Sequence, residues 1–292
     1  MSKDTVGPVI TSVHPPNEPI KFIVVGAGGT GGRLIPGLMQ VVKRHDSVAI
    51  VDGDHVEDRN LVRQNFRTRD VGLNKAEVMV RRYRRDGVET TAYAAMFTPD
   101  TAREIISDSN RTIILGCVDN VQARITIRSY LRTMESAWID GGNERRGGQV
   151  ILTTNRWSFK VKGLLNKEMR ERSGPYQVKG MDAMPQLLTP HSWHCDRCDI
   201  ENPPQTERCT GCQQPEESCR DRIDLQTVAV NQLSASCILN TLSCLLYGVP
   251  MVTCGAFFST LNTMSPIKLK EVKWDTLDVL PETTYASQEG YD

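Results

Sequence analysis

The feature that most limits how this chain can fold is an apolar, β-branched run emptying into a glycine-dense turn. Lys21-Phe22-Ile23-Val24-Val25 leads directly into Gly26-Ala27-Gly28-Gly29-Thr30-Gly31-Gly32. The run reads as a buried strand. Arg33 to Val42 follows with Leu34, Leu38 and Val41 at helical spacing, and Pro36 is tolerable only because it falls in the first turns. Ser47 to Asp52 is a second apolar strand closing on a carboxylate. Strand, glycine turn, helix, strand and acid in that order place a helix amino terminus, with its unpaired backbone N–H groups, over the end of a sheet.

The alternation continues. Asn74 to Arg85 is expected as a helix with a basic outer face, and Thr90 to Met96 as a third strand. Thr98-Pro99-Asp100 opens another helix, and Thr112 to Cys117 is a fourth strand. A helix over Val121–Met134 and a short strand at Ala137–Asp140 come next. Strands alternating with helices predict right-handed βαβ units, so the fold class is α/β: a Rossmann-like, doubly wound, mostly parallel sheet. Gly147–Thr154 reads as a further strand, and from Lys162 to about Cys219 periodicity vanishes. Leu225–Tyr247 is the longest helical stretch. Cys254–Leu261 and Ile267–Val272 are expected as antiparallel closing strands. The corresponding organisation is a flexible leader over 1–19, a nucleotide-binding core over 20–160 and an insertion over 161–220. The last helix and closing strands of the same core occupy 221–275, and a flexible acidic tail covers 276–292.

Composition narrows the partners. Lys+Arg 35 against Asp+Glu 35 gives a formal charge of zero, which removes the general electrostatic case for a nucleic-acid binder. No run is read as reaching the ~18–20 apolar residues of a membrane span, and the amino terminus lacks the pattern of a secretory signal. A reducing cytoplasm is therefore expected.

Glycines at 26, 28, 29 and 31 would let backbone N–H groups approach phosphate, and Asp52, about 20 residues on, can accept a ribose hydroxyl. That much suits NAD, FAD or ATP. The run Asp52-Gly53-Asp54-His55-Val56-Glu57-Asp58-Arg59-Asn60-Leu61-Val62-Arg63-Gln64, then Gly72-Leu73-Asn74-Lys75-Ala76, then Cys117-Val118-Asp119-Asn120, points to polyphosphate. Arg63 and Lys75 can neutralise phosphate oxygens and the charge developing during attack on the α-phosphorus. Asn60 and Gln64 can hydrogen-bond phosphate without adding charge, and Asp119 is placed to hold Mg²⁺.

Those segments, with the doubled glycine form, resemble the ThiF/MoeB/ubiquitin-activating-enzyme family across residues 21–143. Arg59 stands where the hallmark usually has serine. Relatives often bring an amino-terminal arginine to the other subunit's site; no arginine precedes Arg33 here. The resemblance implies ATP with Mg²⁺ and adenylation of the C-terminal glycine of a ubiquitin-like or sulfur-carrier protein. It also implies a homodimer, with a conjugating enzyme or sulfur-transfer acceptor downstream.

Cys195, Cys198, Cys209 and Cys212 form two C-x2-C pairs, the spacing of a closed, structural tetrahedral Zn²⁺ site. The wider pattern from Trp193 through Asn202 to Cys212 matches the small Ran-binding-protein type of zinc finger. Such a finger would staple the insertion and could form part of a docking surface for the ubiquitin-like partner. Cys219, beside Arg220 and Arg222 and just before the long helix, sits where both arginines and a helix amino terminus favour a thiolate. In compact ubiquitin-activating enzymes the thioester cysteine lies similarly; an inert thiol or an alternative zinc ligand stays open. Ser218-Cys219, Asn231-Gln232 and Gly255 to Ile267 resemble bacterial ThiF-like proteins of plasmid and phage-defence gene clusters. Two other readings remain. One is a non-catalytic nucleotide-binding scaffold whose finger recruits a protein or RNA; the other is an NAD-dependent oxidoreductase.

Overall fold

The computed structural model describes residues 9–13, 18–106, 111–131, 135–143, 147–165, 168–181, 185–188, 193–195, 198, 200–203, 208, 210–213, 228–251, 253–259, 268–273 and 277–279. Alternation along the apolar runs decides which face each residue covers. Among the described residues, eleven strands share one sheet: β1 (Val9–Ser12), β2 (Lys21–Val25), β3 (Ser47–Val51), β4 (Glu89–Tyr93), β5 (Arg111–Gly116), β6 (Glu135–Asn143), β7 (Gly147–Leu165), β8 (Glu168–Lys179), β11 (Thr253–Ser259), β12 (Lys268–Lys273) and β13 (Leu277–Val279). A separate antiparallel pair joins β9 (Trp193–Cys195) to β10 (Ile200–Asn202).

The neighbours β6-β5-β2-β3-β4 are parallel in that order. The chain lays β3 and β4 to one side of β2, then returns to lay β5 and β6 on the other. The order therefore reverses between β2 and β5, and the crevice above their carboxyl ends is where doubly wound sheets bind ligands. Antiparallel β7, β11 and β12 close the sheet beyond β6.

Helices cover both faces. On one, α1 (Gly31–Val41), α2 (Lys75–Tyr83) and α5 (Val228–Tyr247) bury Leu34, Leu38, Met79, Val230, Ile238 and Leu242 against Phe22 and Val24. On the other, α3 (Pro99–Ile106) and α4 (Val121–Leu131) bury Ile105, Ile127 and Leu131 against Ile23, Val25 and Trp138. Each such side chain contributes roughly 1.5–3 kcal/mol of burial. The end of α1 is closed from outside: both Nη atoms of Arg85 donate, to the carbonyls of Met39 and Val42, at 2.7 Å each.

Four expectations need correction or extension. The leader contributes β1, paired antiparallel to β7, with Ile10 fully buried. Periodicity was expected to vanish at Lys162, yet β7 runs on to Leu165 and β8 returns alongside it. The tail carries β13, paired to β8. And α5 is, by length and composition, long and apolar enough to cross a membrane, against the reading that no run reaches that length. Polar residues such as Asn231, Ser234 and Thr241 interrupt its apolar sequence. Its Ala235, Ile238 and Leu245 lie in the core.

Candidate active site

The turn between β2 and α1 is shaped by what cannot fit beside it. Gly26 has φ +94°, and a Cβ there would meet the Cys117 carbonyl oxygen at 2.5 Å. The end of β5 therefore leans directly on the turn. A Cβ on Gly31 would collide with the Gly26 carbonyl oxygen. Gly28 has ordinary space, with the Gln64 amide 3.7–3.9 Å from the missing Cβ. On the other side, a Cβ on Gly29 would meet Asn231 Nδ2 at 2.6 Å. The turn is thus flanked by two amides. Gln64 Oε1 and Asn231 Nδ2 are both buried without a hydrogen-bond partner among the described residues.

Asp52 at the end of β3 is tied to this turn. Its Oδ2 accepts from Ala27 N at 2.6 Å and its Oδ1 from Asp54 N at 2.9 Å. Each oxygen keeps lone-pair capacity for a ribose hydroxyl. Burial pushes the carboxyl above its usual value, more than Lys75 and the two N–H donors pull it down. The lysine is placed by its helix: Asn74 caps α2, accepting from Glu77 N at 3.2 Å, while its Nδ2 donates to the Asp52 carbonyl at 2.8 Å. Lys75 is only 7% exposed, and its Nζ donates to Asp54 Oδ2 at 2.9 Å.

The hallmark loop between β3 and α2 begins with a short 3₁₀ turn, Asp58–Asn60. The side-chain carbonyl of buried Asn60 accepts from Glu57 N at 2.9 Å, so this part of Asn60 shapes the loop. Arg63 is buried, and its backbone carbonyl accepts from Arg33 Nη2 at 2.9 Å. Asp119, by contrast, is exposed at the end of β5 and makes no hydrogen bond or ion pair among the described residues. A carboxylate in that position, one residue beyond the Val118 that packs near Gly26, suits a hydrated divalent cation.

Two features escaped the sequence reading. Asn143 Nδ2, at the end of β6, donates to Asn231 Oδ1 at 2.8 Å and to Thr30 Oγ1 at 2.5 Å, joining β6, α5 and the turn. Beneath the Asp119 loop, Arg124 Nε donates to Asp140 Oδ2 at 3.0 Å with both residues buried. An aspartate ending an apolar strand was the available signal, since a carboxylate there requires a partner.

Burial and the nearby Asp140 charge raise the Cys117 thiol well above its ordinary value, which disfavours its thiolate. Of the predicted zinc ligands, Cys209 lies outside the described residues, as does Cys219, and only the backbone of Cys195 is described, at the end of β9. Cys198 Sγ lies 3.3 Å from where a Gly211 Cβ would stand. Buried Asn202, at the end of β10, is tied to Thr210, its Oδ1 accepting from Thr210 N at 2.8 Å and Oγ1 at 3.0 Å.

Residues 18–276 match the ThiF family. Among curated proteins, "Adenylyltransferase and sulfurtransferase uba4" of Aspergillus clavatus is 31% identical over 139 residues, covering 46% of this chain and 27% of that protein. The "NEDD8-activating enzyme E1 catalytic subunit" of Arabidopsis thaliana is 36% identical over 108 residues, covering 36% of this chain and 23% of that protein. The matches thus span about a quarter of the length of these relatives. In fold, the chain is similar to E. coli MccB, solved with ATP: TM-score 0.50 at 15% identity, over 87% of this chain and 63% of that one.

Proposed function

The chain belongs to the ThiF family, and from that premise we propose that it adenylates the C-terminal glycine of a ubiquitin-like or sulfur-carrier protein at the expense of ATP. The observation that carries this reading is Lys75. It is a lysine almost wholly removed from water, held at a helix amino terminus, whose carboxylate partner Asp54 is 39% exposed in its side chain. Such a cation suits an incoming polyphosphate. Gln64, whose amide stands beside Gly28, supports the same reading, which assigns Arg63 to the phosphates and Asp52 to the ribose.

The chemistry is a displacement. The substrate's terminal carboxylate oxygen bonds to the α-phosphorus, the bond from that phosphorus to the bridging oxygen breaks, and pyrophosphate leaves with the electron pair. Lys75 and Arg63 offset the charge developing on the phosphate oxygens. Asp119 would hold Mg²⁺, which supplies charge neutralisation for the departing pyrophosphate. The exposed, unengaged carboxylate of Asp119 supports that role. We carry the further step as part of the proposal: the Cys219 thiolate attacks the acyl-adenylate carbonyl and AMP departs.

A structural Zn²⁺ on Cys195, Cys198, Cys209 and Cys212 belongs to the same reading, carried by the spacing of the two C-x2-C pairs alone, since no group of three or more His, Cys, Asp or Glu placed to hold a metal is found among the described residues. Metal analysis of the purified protein tests it, one zinc per chain being expected and none counting against it.

Exchange of labelled pyrophosphate into ATP tests the reaction, using the small diglycine-ended protein that copurifies in the presence of ATP. Exchange that depends on that protein and disappears in Asp119→Ala is expected. ATP binding with no exchange would favour a non-catalytic scaffold. Cys219→Ala should keep exchange while losing a thiol-sensitive conjugate.

A further inference from the structure

We propose that Arg124 is the positioning residue that presents Asp119 to the metal-bound nucleotide. The loop from Cys117 to Asn120 is fixed on both sides of Asp119. Before it, Cys117 N donates to the Val25 carbonyl at 2.8 Å, and the Val118 carbonyl accepts from Arg124 Nη2 at 2.8 Å. After it, Asn120 Oδ1 accepts from Ala123 N at 2.7 Å and caps α4. Asp119 and Asn120 are both exposed, and of the two only Asn120 is engaged by these contacts.

What makes Arg124 able to hold the loop is its other edge. Its Nε donates to Asp140 Oδ2 at 3.0 Å, and Asp140 is 0% exposed within β6, opposite Gly116 at the end of β5. One planar guanidinium therefore joins a carboxylate on the strand to a carbonyl in the loop. A lysine ammonium, a compact point charge, can answer the carboxylate but cannot supply the same two-edged fork. Glycines leave room for the arrangement: a Cβ on Gly116 would meet Asp140 Oδ1 at 2.6 Å, and one on Gly142 would meet Arg124 Nη2 at 3.2 Å. The pair is buried, Arg124 5% and Asp140 0% exposed, so water competes little for it.

This inference rests on reading Asp119 as the carboxylate that holds Mg²⁺, and it is tested by binding as well as by turnover. Titration calorimetry would measure ATP affinity in EDTA and in saturating Mg²⁺ for the wild type, Arg124→Lys and Asp140→Asn. Arg124→Lys is expected to bind ATP in EDTA as the wild type does, and to lose about tenfold of the Mg²⁺-dependent gain in affinity, the usual effect of removing a group that orients a metal ligand. Asp140→Asn leaves the bond to Val118 and should keep most of that gain. An unchanged gain in Arg124→Lys overturns the proposal, and so does an equal loss in both variants, which would mark a merely structural pair. If Arg124→Lys fails to fold, the charge-neutral double variant Arg124→Gln/Asp140→Asn takes its place, with the same expected loss. Wild type that binds ATP no tighter with Mg²⁺ removes the role altogether. Wild type with a normal Mg²⁺ gain but no pyrophosphate exchange instead removes the adenylation reading and leaves this one standing.

Discussion

Two buried cations stand on opposite sides of the glycine turn, and they differ in what faces them. Lys75, at the rim, is 7% exposed, and the side chain of its partner Asp54 is 39% exposed. Arg124, in the wall behind Asp119, is 5% exposed and faces Asp140, which is 0% exposed. A rim carboxylate that can fall back on water lets its lysine turn towards an arriving phosphate. A fully dry carboxylate has no such refuge, so breaking its pair strands a charge in the interior. On the proposed function, the same kind of contact would serve ligand exchange in one place and fixed architecture in the other.

The sharpest way to separate the two is to delete each cation. Lys75→Ala should lower pyrophosphate exchange by roughly 10³-fold, the scale of losing one preorganised charge contact in a dry site. Its thermal midpoint should move by only a few degrees, about what 1 kcal/mol causes in a domain this size. Arg124→Ala should do the reverse, costing about 3–5 kcal/mol in urea unfolding because Asp140 is left uncompensated. A loss below 1 kcal/mol would erase the distinction.

Acidity gives a finer probe of the rim. The folded Asp52 carboxyl keeps its proton to higher pH than the unfolded one, whose value is 3.8. Its contribution to stability is therefore largest below that window and falls as pH rises through the folded-state pKa. Nucleotide binding should run the other way. Wild-type ATP affinity, divided by that of Asp52→Asn to cancel titration of ATP itself, should drop up to about tenfold for each pH unit below the folded-state pKa. A flat ratio would mean that Asp52 does not bind the ribose as a carboxylate. The smallest effect is expected far from both cations. Asn202→Ala removes the tie to Thr210, worth about 0.5–1.5 kcal/mol. It should weaken zinc retention against a chelator several-fold and leave ATP affinity untouched.

How much could be read in advance follows the same division. The rim is assembled from residues close in sequence, Gly26 to Lys75, and short-range order with the right side chains was enough to find it. The wall was not legible, because nothing in the helix around Arg124 marks it out from the exposed Arg128 and its partner is on the next strand. The Thr30, Asn143 and Asn231 cluster joins residues 88 to 201 positions apart, which no local pattern discloses. β8 was hidden for a different reason. Its Glu168-Met169-Arg170-Glu171-Arg172 stretch carries charge where a strand usually shows an apolar face, and it is a strand because β7 and β13 pair with it on either side. β1, at four residues, is too short for any periodicity to show. Residue type assigns Asn60 to phosphate; the structure adds that its side-chain carbonyl holds the turn of its own loop.

β6 reaches both walls. Asp140 engages Arg124, and three residues later Asn143 engages Thr30 and Asn231. One strand thus acts as a common ruler for the cradle and for the loop that carries Asp119. Sliding it by a single residue against β5 would turn Asp140 and Asn143 to the wrong faces together. A substitution that shifts β6 should therefore disturb both halves of the crevice at once, and a repair to one half should restore the other.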